Sequence, residues 1–550
     1  MNIVEEPRAT QKIKHYEQVK GQRSSFESHW QTLHDYFYVE SSDVSSTHAP
    51  GSELNFTNLW DATTLDAADI LASGFMNYLT PPTSMWFRLK HSNPALAENK
   101  NVGNYLSDVA SEVNFAINRS NFYHQVHPVY KSSGVYGTSI LFEEEDIEDD
   151  IRFLNVPIKQ CCIVEDARGR IGEYYIEFEY TAYQAMTRWG MDALPEERKE
   201  EAKQRSDKKY TYLLYIGRRY RLDVTKQDKK NMPIEALWID IKANTIVSED
   251  GYNEFPCMCH RFDKRPNVAW GYSPAMKSLP MARLLNAIAK TNLRAMMKQT
   301  DPPLALPENA FIMPFNANPR AINYYKKTAL DSGKDIFPFG NYGNPQMGME
   351  AMQYYANQVK SLMYNDVFLA FDQITKQMNN PEVAERINEK MTMLGPAVGR
   401  FTGEVLDPII IRTIAILFRR GRLPDPPDEL IGDPSYQIDY VSQLAQSQKR
   451  SEMTALMSAL NVTAQIAEFQ PEALDKISAD KTIDSVFDIT GAPVKILRTD
   501  NEVQAIRENR ATQQAQANQM AMLQQGADVV AKGAGVDKTL AEAKAAGVKQ

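Results

Sequence analysis

PEVAERINEKMTMLGPAVGRFTGEVLDPIIIRTIAILFRRGRLPDPP, residues 381–427, carries one apolar seam through an unusually long helical pattern. Val383, Ile387, Met391, Leu394, Val398, Phe401 and Val405 recur at steps of four or three, which places them on one face of a helix. The opposite face carries Glu385, Asn388, Glu389 and Lys390, then Arg400 and Glu404. Pro396 and Pro408 each remove a backbone donor and crowd the preceding turn, so a kinked or segmented rod is expected. Such a rod cannot bury its seam alone, and adjacent copies of the chain are its expected cover.

Upstream, Lys12 to Tyr38 has the pattern of an amphipathic helix, with Ile13, Tyr16, Trp30, Leu33 and Phe37 on a broad apolar face. Asn58 to Leu79 forms a second, stopped by Thr80-Pro81-Pro82 because proline biases the residue before it away from helical angles. Glu98 to Asn118 forms a third. Between Gly137 and Phe262 the chain turns to short β-branched and aromatic runs. They are 139–142, 151–156, 160–164, 173–180, 210–220, 234–241 and 255–262, with a helical insert around 182–205. Helix returns over 273–299 and again over 350–371. The segment between them is rich in proline and glycine. After residue 428, a short strand at 438–441 leads into helices over 447–469 and 471–477. Residues 502–550 hold no aromatic residue and are dominated by Ala, Gln and Lys.

The composition, 43% hydrophobic and 24% charged, is that of a packed protein, and 550 residues suggest about three or four regions. A net charge of −9 argues against nonspecific wrapping of nucleic acid by the outer surface, since phosphate binding is driven by Lys and Arg displacing counterions, and it leaves room for a local basic patch. Residues 1–14 lack the apolar core of a secretory signal, and no run approaches the roughly 18 uninterrupted apolar residues of a membrane span. Four cysteines in so long a chain make no disulfide framework, and a reducing environment is expected.

Three sets of residues, far apart and in a fixed order, carry a family resemblance. They are Leu71-Ala72-Ser73-Gly74-Phe75-Met76-Asn77-Tyr78-Leu79-Thr80-Pro81-Pro82 with Trp86-Phe87-Arg88-Leu89, and Ile438-Asp439-Tyr440-Val441-Ser442 with Leu444-Ala445-Gln446. Between these lie Ala384-Glu385-Arg386, Leu394-Gly395-Pro396, Leu406-Asp407-Pro408 and Leu423-Pro424-Asp425-Pro426-Pro427 of the long helical stretch. In this order the chain resembles the head-to-tail connector, or portal, proteins of short-tailed, podovirus-type bacteriophages. One departure is the entry into the long helix, Met378-Asn379-Asn380-Pro381-Glu382-Val383, where the family often has a Thr-Ala-Thr-Glu-Val-like run.

The resemblance implies an α+β portal fold assembled as a ring, with a helical stem, a mixed α/β wing, a small clip domain and a helical crown. The boundaries are a wing over 1–272, stem helices over 273–300 and 350–371 flanking a clip at 301–349, and a channel loop at 372–380. The long kinked helix covers 381–427 and the crown 428–501, followed by an Ala/Gln-rich helix and tail over 502–550. The implied function is structural rather than enzymatic and uses no cofactor. A homo-oligomeric ring, in the family a dodecamer, sits at one capsid vertex of the virion after assembly in the host cytoplasm. Double-stranded DNA is packaged and ejected through it. The implied partners are the terminase ATPase, the major capsid and scaffolding proteins and the tail adaptor proteins, with no membrane.

Residues 264–300 hold Lys264, Arg265, Lys277, Arg283, Lys290, Arg294 and Lys298 and no carboxylate. At 100° per residue Arg283, Lys290, Arg294 and Lys298 fall within about 80° of one another. Met281, Leu284, Leu285, Ile288 and Ala295 lie largely opposite. Given the resemblance, the cationic stripe faces either the DNA channel or a neighbouring subunit; a solvated helix face is the plain alternative. In the channel-loop position, Lys376 is the only cation among Gln373, Gln377 and Asn379, and a ring of such lysines would slide on phosphates without reading bases. Arg320, Lys326, Lys327 and Lys334 are the expected docking surface of the clip.

Other clusters read as structural. Glu143 to Asp150 (EEEDIEDD) is expected to be a solvated hairpin tip rather than a divalent-ion site, because consecutive carboxylates point in different directions. Cys257, Cys259 and His260, with Cys161 and Cys162, are expected to be packing residues of strands, and His124 and His127 lack the further ligands a zinc site requires. Gly333-Lys334-Asp335 lacks the hydroxyl residue of a phosphate loop, and Thr328 stands where the loop's first glycine should be. Two rival functions remain at this point: a nonviral helical protein-binding scaffold, and a metal-dependent hydrolase using the 143–150 carboxylates.

Overall fold

The computed structural model describes residues 7–41, 44, 56, 59–97, 99–220, 222–223, 225–226, 228–300, 304–305, 337–338, 345–369, 394–430, 435–441, 443–467, 469–470, 477–490, 498 and 502–517. In chain order the elements are α1 (Arg8–Phe37), α2 (Thr63–Leu79), β1 (Phe87–His91), α3 (Lys100–Arg119), α4 (Phe122–Tyr136), β2 (Thr138–Asp146) and β3 (Asp150–Val156). There follow β4 (Cys161–Glu165), β5 (Ile171–Thr181), α5 (Ala182–Trp189), α6 (Glu196–Lys203), β6 (Lys209–Arg218), β7 (Ile234–Asp240), β8 (Thr245–Tyr252) and β9 (Cys257–Arg261). Then come α7 (Pro274–Thr300), α8 (Pro345–Leu362), α9 (Asp407–Arg419), β10 (Tyr436–Tyr440), α10 (Gln443–Ala467) and α11 (Ala479–Thr490). The mixture of helix and sheet is the α+β class expected. Two compact units divide the chain, one of residues 1–88, 109–424 and 438–451, the other of 89–108, 425–437 and 452–550.

In the first unit an antiparallel five-stranded sheet has the order β4-β5-β6-β7-β8, and a three-stranded sheet the order β3-β2-β9. Alternation along the strands sorts the five-stranded sheet's side chains onto two faces. Cys162, Tyr175, Leu213, Tyr215, Leu237 and Ile239 meet Ala9, Tyr16 and Val19 of α1. Tyr212 and Trp238 project the other way and meet Trp189 of α5, ring centroids 5.1 Å apart in both cases. A capping box, Thr181 against Gln184, starts α5. The buried Arg198 of α6 closes this side on Asp240 at 3.0 Å, its guanidinium 3.5 Å from the centre of the Tyr210 ring.

Periodicity does not announce α4, because Pro128 lies inside it and Gly134 near its end. Gly134 has a place in packing. The side chain of Leu71 fills the space where a Cβ on Gly134 would stand, and Phe75 stacks on Tyr130 at 5.7 Å. At the exit of α4, Gly137 has φ of 81°, and a Cβ there would lie 2.4 Å from the carbonyl oxygen of Gly271. Only glycine combines that backbone with that approach.

The long seam corrects one expectation. Residues 381–393 lie outside the described residues. From Leu394 onward, Leu394, Phe401, Val405, Leu406, Ile409 and Ile410 are each at most 1% exposed within a single chain. Phe401 stacks on Tyr130 at 4.5 Å and meets His260 at 4.7 Å. From Leu394 on the cover therefore comes from the same chain, α4 and β9 meeting Phe401, rather than from another copy.

In the second unit, Lys100 donates to the carbonyl of Arg498 at 2.7 Å, and Arg507 grips Asp480 through both terminal nitrogens at 2.7 and 3.0 Å. Among the described residues no helix is long and apolar enough to cross a membrane.

Candidate functional site

The candidate site is a helix pair and the joint that anchors it. Ser273 caps α7, accepting from the Met276 N–H at 3.0 Å and donating to the Val135 carbonyl at 2.7 Å. α8 runs back beside α7, its Gly348 so near Asn292 that a Cβ would fall 2.4 Å from the amide oxygen. This close approach sets which face of α7 is buried: Ser278, Leu279, Ala282, Leu285, Asn286, Ala289 and Asn292. Of the five apolar residues opposite the stripe only Leu285 is buried; Met281, Ile288 and Ala295 are half-buried, and Leu284 is 44% exposed. Small and amide side chains let the helices approach where bulky ones would hold them apart.

The four stripe residues do share the outer side. Arg283, Arg294 and Lys298 are exposed, while Lys290 is half-buried with its ammonium 5.3 Å from the centre of the Trp60 ring. The Trp60 N–H donates to Asn286 at 2.6 Å. Next to the charge lie exposed apolar side chains, Leu293 and Met297 on α7 and Met347, Met349 and Tyr354 on α8.

Past α8, Met363, Val367 and Phe368 are buried, and Phe368 docks the chain on α2. A Cβ on Gly74 would lie 2.4 Å from the Phe368 ring, so this glycine is what lets the ring settle on the helix. Phe75 packs on the same ring at 5.6 Å.

The long helix widens into a π-turn at Thr402–Leu406, just before Pro408. Pro408 cannot donate and its ring crowds the carbonyl of Glu404; the wider turn absorbs both effects. Glu404, in this turn, accepts from the Arg261 N–H at 2.9 Å and from its guanidinium at 2.6 Å. Arg261 also reaches Glu165 and the Gly169 carbonyl. Asp407 accepts from the Tyr440 hydroxyl at 2.5 Å, Tyr440 stacks on Trp86 at 6.3 Å, and the Val441 N–H donates to the Trp86 carbonyl at 2.9 Å. β1 and β10 form a two-stranded sheet there. Burial holds the Asp407 carboxyl above its ordinary range, the Tyr440 hydrogen bond opposing.

The acidic run corrects another expectation. Only Ile147, Glu148 and Asp149 form the hairpin tip; 143–146 belong to β2. Glu143 is completely buried, accepts from Thr413 at 3.1 Å and lies 3.9 Å from Arg412. That separation is too long for a hydrogen bond. Burial pushes the Glu143 carboxyl up to about 8, against the pull of Arg412 and Thr413. Glu144 pairs with Arg188, Glu145 with Arg419, and the buried Asp150 with Arg420 and Arg422. The run clamps the hairpin to α9 and the turn after it, and the signal that was missing from its reading is the arginine set some 270 residues on. Among the described residues no group of three or more His, Cys, Asp or Glu is placed to hold a metal.

All four cysteines are buried thiols. His260 turns away from Cys257 and Cys259 to meet Ser133 at 2.5 Å, and burial, with Arg400 and Arg261 adding, holds it down to about 3. His127 approaches Ser73 at 3.4 Å. The channel-loop residues Gln373, Lys376, Gln377 and Asn379 and the clip residues Arg320, Lys326, Lys327 and Lys334 lie outside the described residues.

Known proteins resemble this chain along most of its length. The family model for the bacteriophage head to tail connecting protein matches residues 9–497. The chain is 30% identical over 537 residues to the portal protein of Salmonella phage epsilon15, covering 96% of this chain and 95% of that protein. It is 29% identical over 524 residues to a probable portal protein of Bordetella phage BPP-1, covering 94% of each.

Proposed function

The chain belongs to the bacteriophage head to tail connecting proteins, and from that premise we propose that it is the portal of a phage capsid. Copies close into a ring at one vertex, double-stranded DNA enters and leaves through the centre, and the ring joins the head to tail proteins. The observation that carries this reading is the likeness to two portal proteins along nearly the whole chain. Heterologous contacts, one patch against a different patch of the next copy, generate a ring when the rotation between neighbours closes. The apolar side chains left exposed on α7 and α8 support such contacts, since unpaired apolar surface beside charge is typical of interfaces.

Within that reading the wing takes 1–272, the clip 301–349 between stem helices 273–300 and 350–371, and the crown 428–501. Clip residues Arg320, Lys326, Lys327 and Lys334 dock the terminase ATPase during packaging and tail adaptor proteins afterwards. Lys376 and its neighbours Gln373, Gln377 and Asn379 line the channel as a loop. The ring is a dodecamer, assembled in the host cytoplasm with the major capsid and scaffolding proteins. Its action is mechanical, with energy for DNA movement supplied by the terminase.

The test is packaging. Capsids assembled with this chain should take up DNA when purified terminase and ATP are added, and capsids assembled without it should stay empty. Equal DNA uptake by both would overturn the reading.

A further inference from the structure

We propose that the outer face of α7, made by Arg283, Lys290 and Arg294 with Lys298 following, contacts the phosphate backbone of double-stranded DNA. The proposal rests on the portal reading and adds to it the ligand of a face that could also have met another subunit.

Four observations lead there. First, Arg283, Lys290 and Arg294 make no ion pair among the described residues. Elsewhere in the same unit arginines are matched: Arg198 to Asp240, Arg261 to Glu404, Arg419 to Glu254 and Arg422 to Asp150. The three unmatched cations therefore call for an anion from outside.

Second, charge is segregated. α7 holds five cations (Lys277 and the four of the stripe) and no carboxylate, and α8 adds Lys360 and Glu350. The helix pair thus carries +5 in a chain of −9, leaving −14 for everything else. Neighbouring copies of this pair offer one carboxylate each against such a stripe, so packing pair against pair would set like charges side by side. A polyanion compensates all copies together.

Third, the cations recur in a row. Residues four apart on a helix rise about 6 Å and residues seven apart about 10.5 Å. Lys290, Arg294 and Lys298 follow the first interval and Arg283 to Lys290 the second. Fourth, the Trp60 ring beneath Lys290, itself held through Asn286, positions one ammonium of the row. Contacts of this kind carry no base information, which suits a surface that must meet any sequence.

The experiment titrates the purified full chain with a short fluorescein-labelled duplex DNA at several NaCl concentrations, beside the variant Arg283→Gln/Lys290→Gln/Arg294→Gln/Lys298→Gln. Oligomeric state and melting temperature of both proteins are recorded alongside. The unaltered protein should bind, and the variant should lose at least tenfold in affinity, with the salt slope shallower by about 1 for each phosphate contact removed. Its assembly and melting should be unchanged.

No binding by the unaltered protein, or equal affinity and slope in the two, overturns the proposal. So does loss of assembly in the variant alone, which assigns the face to contacts between copies. If neither protein forms rings, the portal reading fails, while the titration still decides the phosphate contact because the face is exposed in the single chain. A single Lys360→Gln change on α8, outside the stripe, should leave the affinity as it was and controls for net charge.

Discussion

Glu404 holds both the backbone N–H and the guanidinium of Arg261, so the π-turn of the long helix is pinned to the end of β9 by one carboxylate. Arg261 is 4% exposed, and removing the carboxylate leaves a buried cation short of a partner. Glu404→Gln should destabilise the chain by about 3 kcal/mol in urea denaturation, the lower end for a broken buried pair, because Glu165 still serves Arg261. A change below about 0.5 kcal/mol, the range of a surface substitution, would remove the pin from the account.

Gly74→Ala puts a methyl group where the Phe368 ring rests. The ring must leave, taking with it the docking of the segment after α8, at a cost of about 1–3 kcal/mol. Pairing the change with Phe368→Leu should restore part of the loss. If the double variant is less stable than the sum of the single ones, the contact is not what the glycine serves.

Two buried groups set the pH response in opposite directions. Glu143, raised to about 8, stabilises the fold fully below its unfolded value of 4.5, and this contribution is lost as pH rises through 8. His260, lowered to about 3, contributes stability present above its unfolded value of 6.5 and lost as pH falls through 3. Between 4.5 and 6.5 the slopes cancel. Stability should fall on either side, by about 1.4 kcal/mol per pH unit from 6.5 to 8 and again from 4.5 to 3. Glu143→Gln should flatten the limb from pH 6.5 to 8 and, with the cancellation lost, leave stability rising between 4.5 and 6.5. A Gln variant whose melting temperature falls as steeply as the parent's between pH 6.5 and 8 would show that Glu143 titrates elsewhere.

If residues 372–380 form the proposed channel loop, Lys376→Ala should slow packaging of DNA in capsids without changing ring assembly, since a lone cation per copy would make a weak, sliding contact with phosphate. Packaging at the parent's rate would remove Lys376 from the channel.

Much of this was legible in the sequence where a period and its boundaries agree. The alternating runs became β2 to β7 and β9, and the helix, proline-rich insert, helix order marked α7 and α8. The three resemblance motifs turned out to touch one another: Trp86 with Tyr440 and Val441, and Tyr440 with Asp407. What escaped was set by distant partners. Glu143 reads as one of a solvated run until Arg412 and Thr413 arrive from far along the chain. The buried face of α7 follows from Gly348 on another helix rather than from its own leucines, and α4 is masked by Pro128. The cover of the described part of the seam, from Leu394 on, is likewise a tertiary fact.

Electron microscopy of the purified full chain, with mass measured by sedimentation, tests the central claim directly. The account predicts closed rings with a central hole wide enough for a DNA duplex and a mass that is a whole multiple of the 62.4 kDa chain. Compact single chains at every concentration, with or without scaffolding protein, would contradict it.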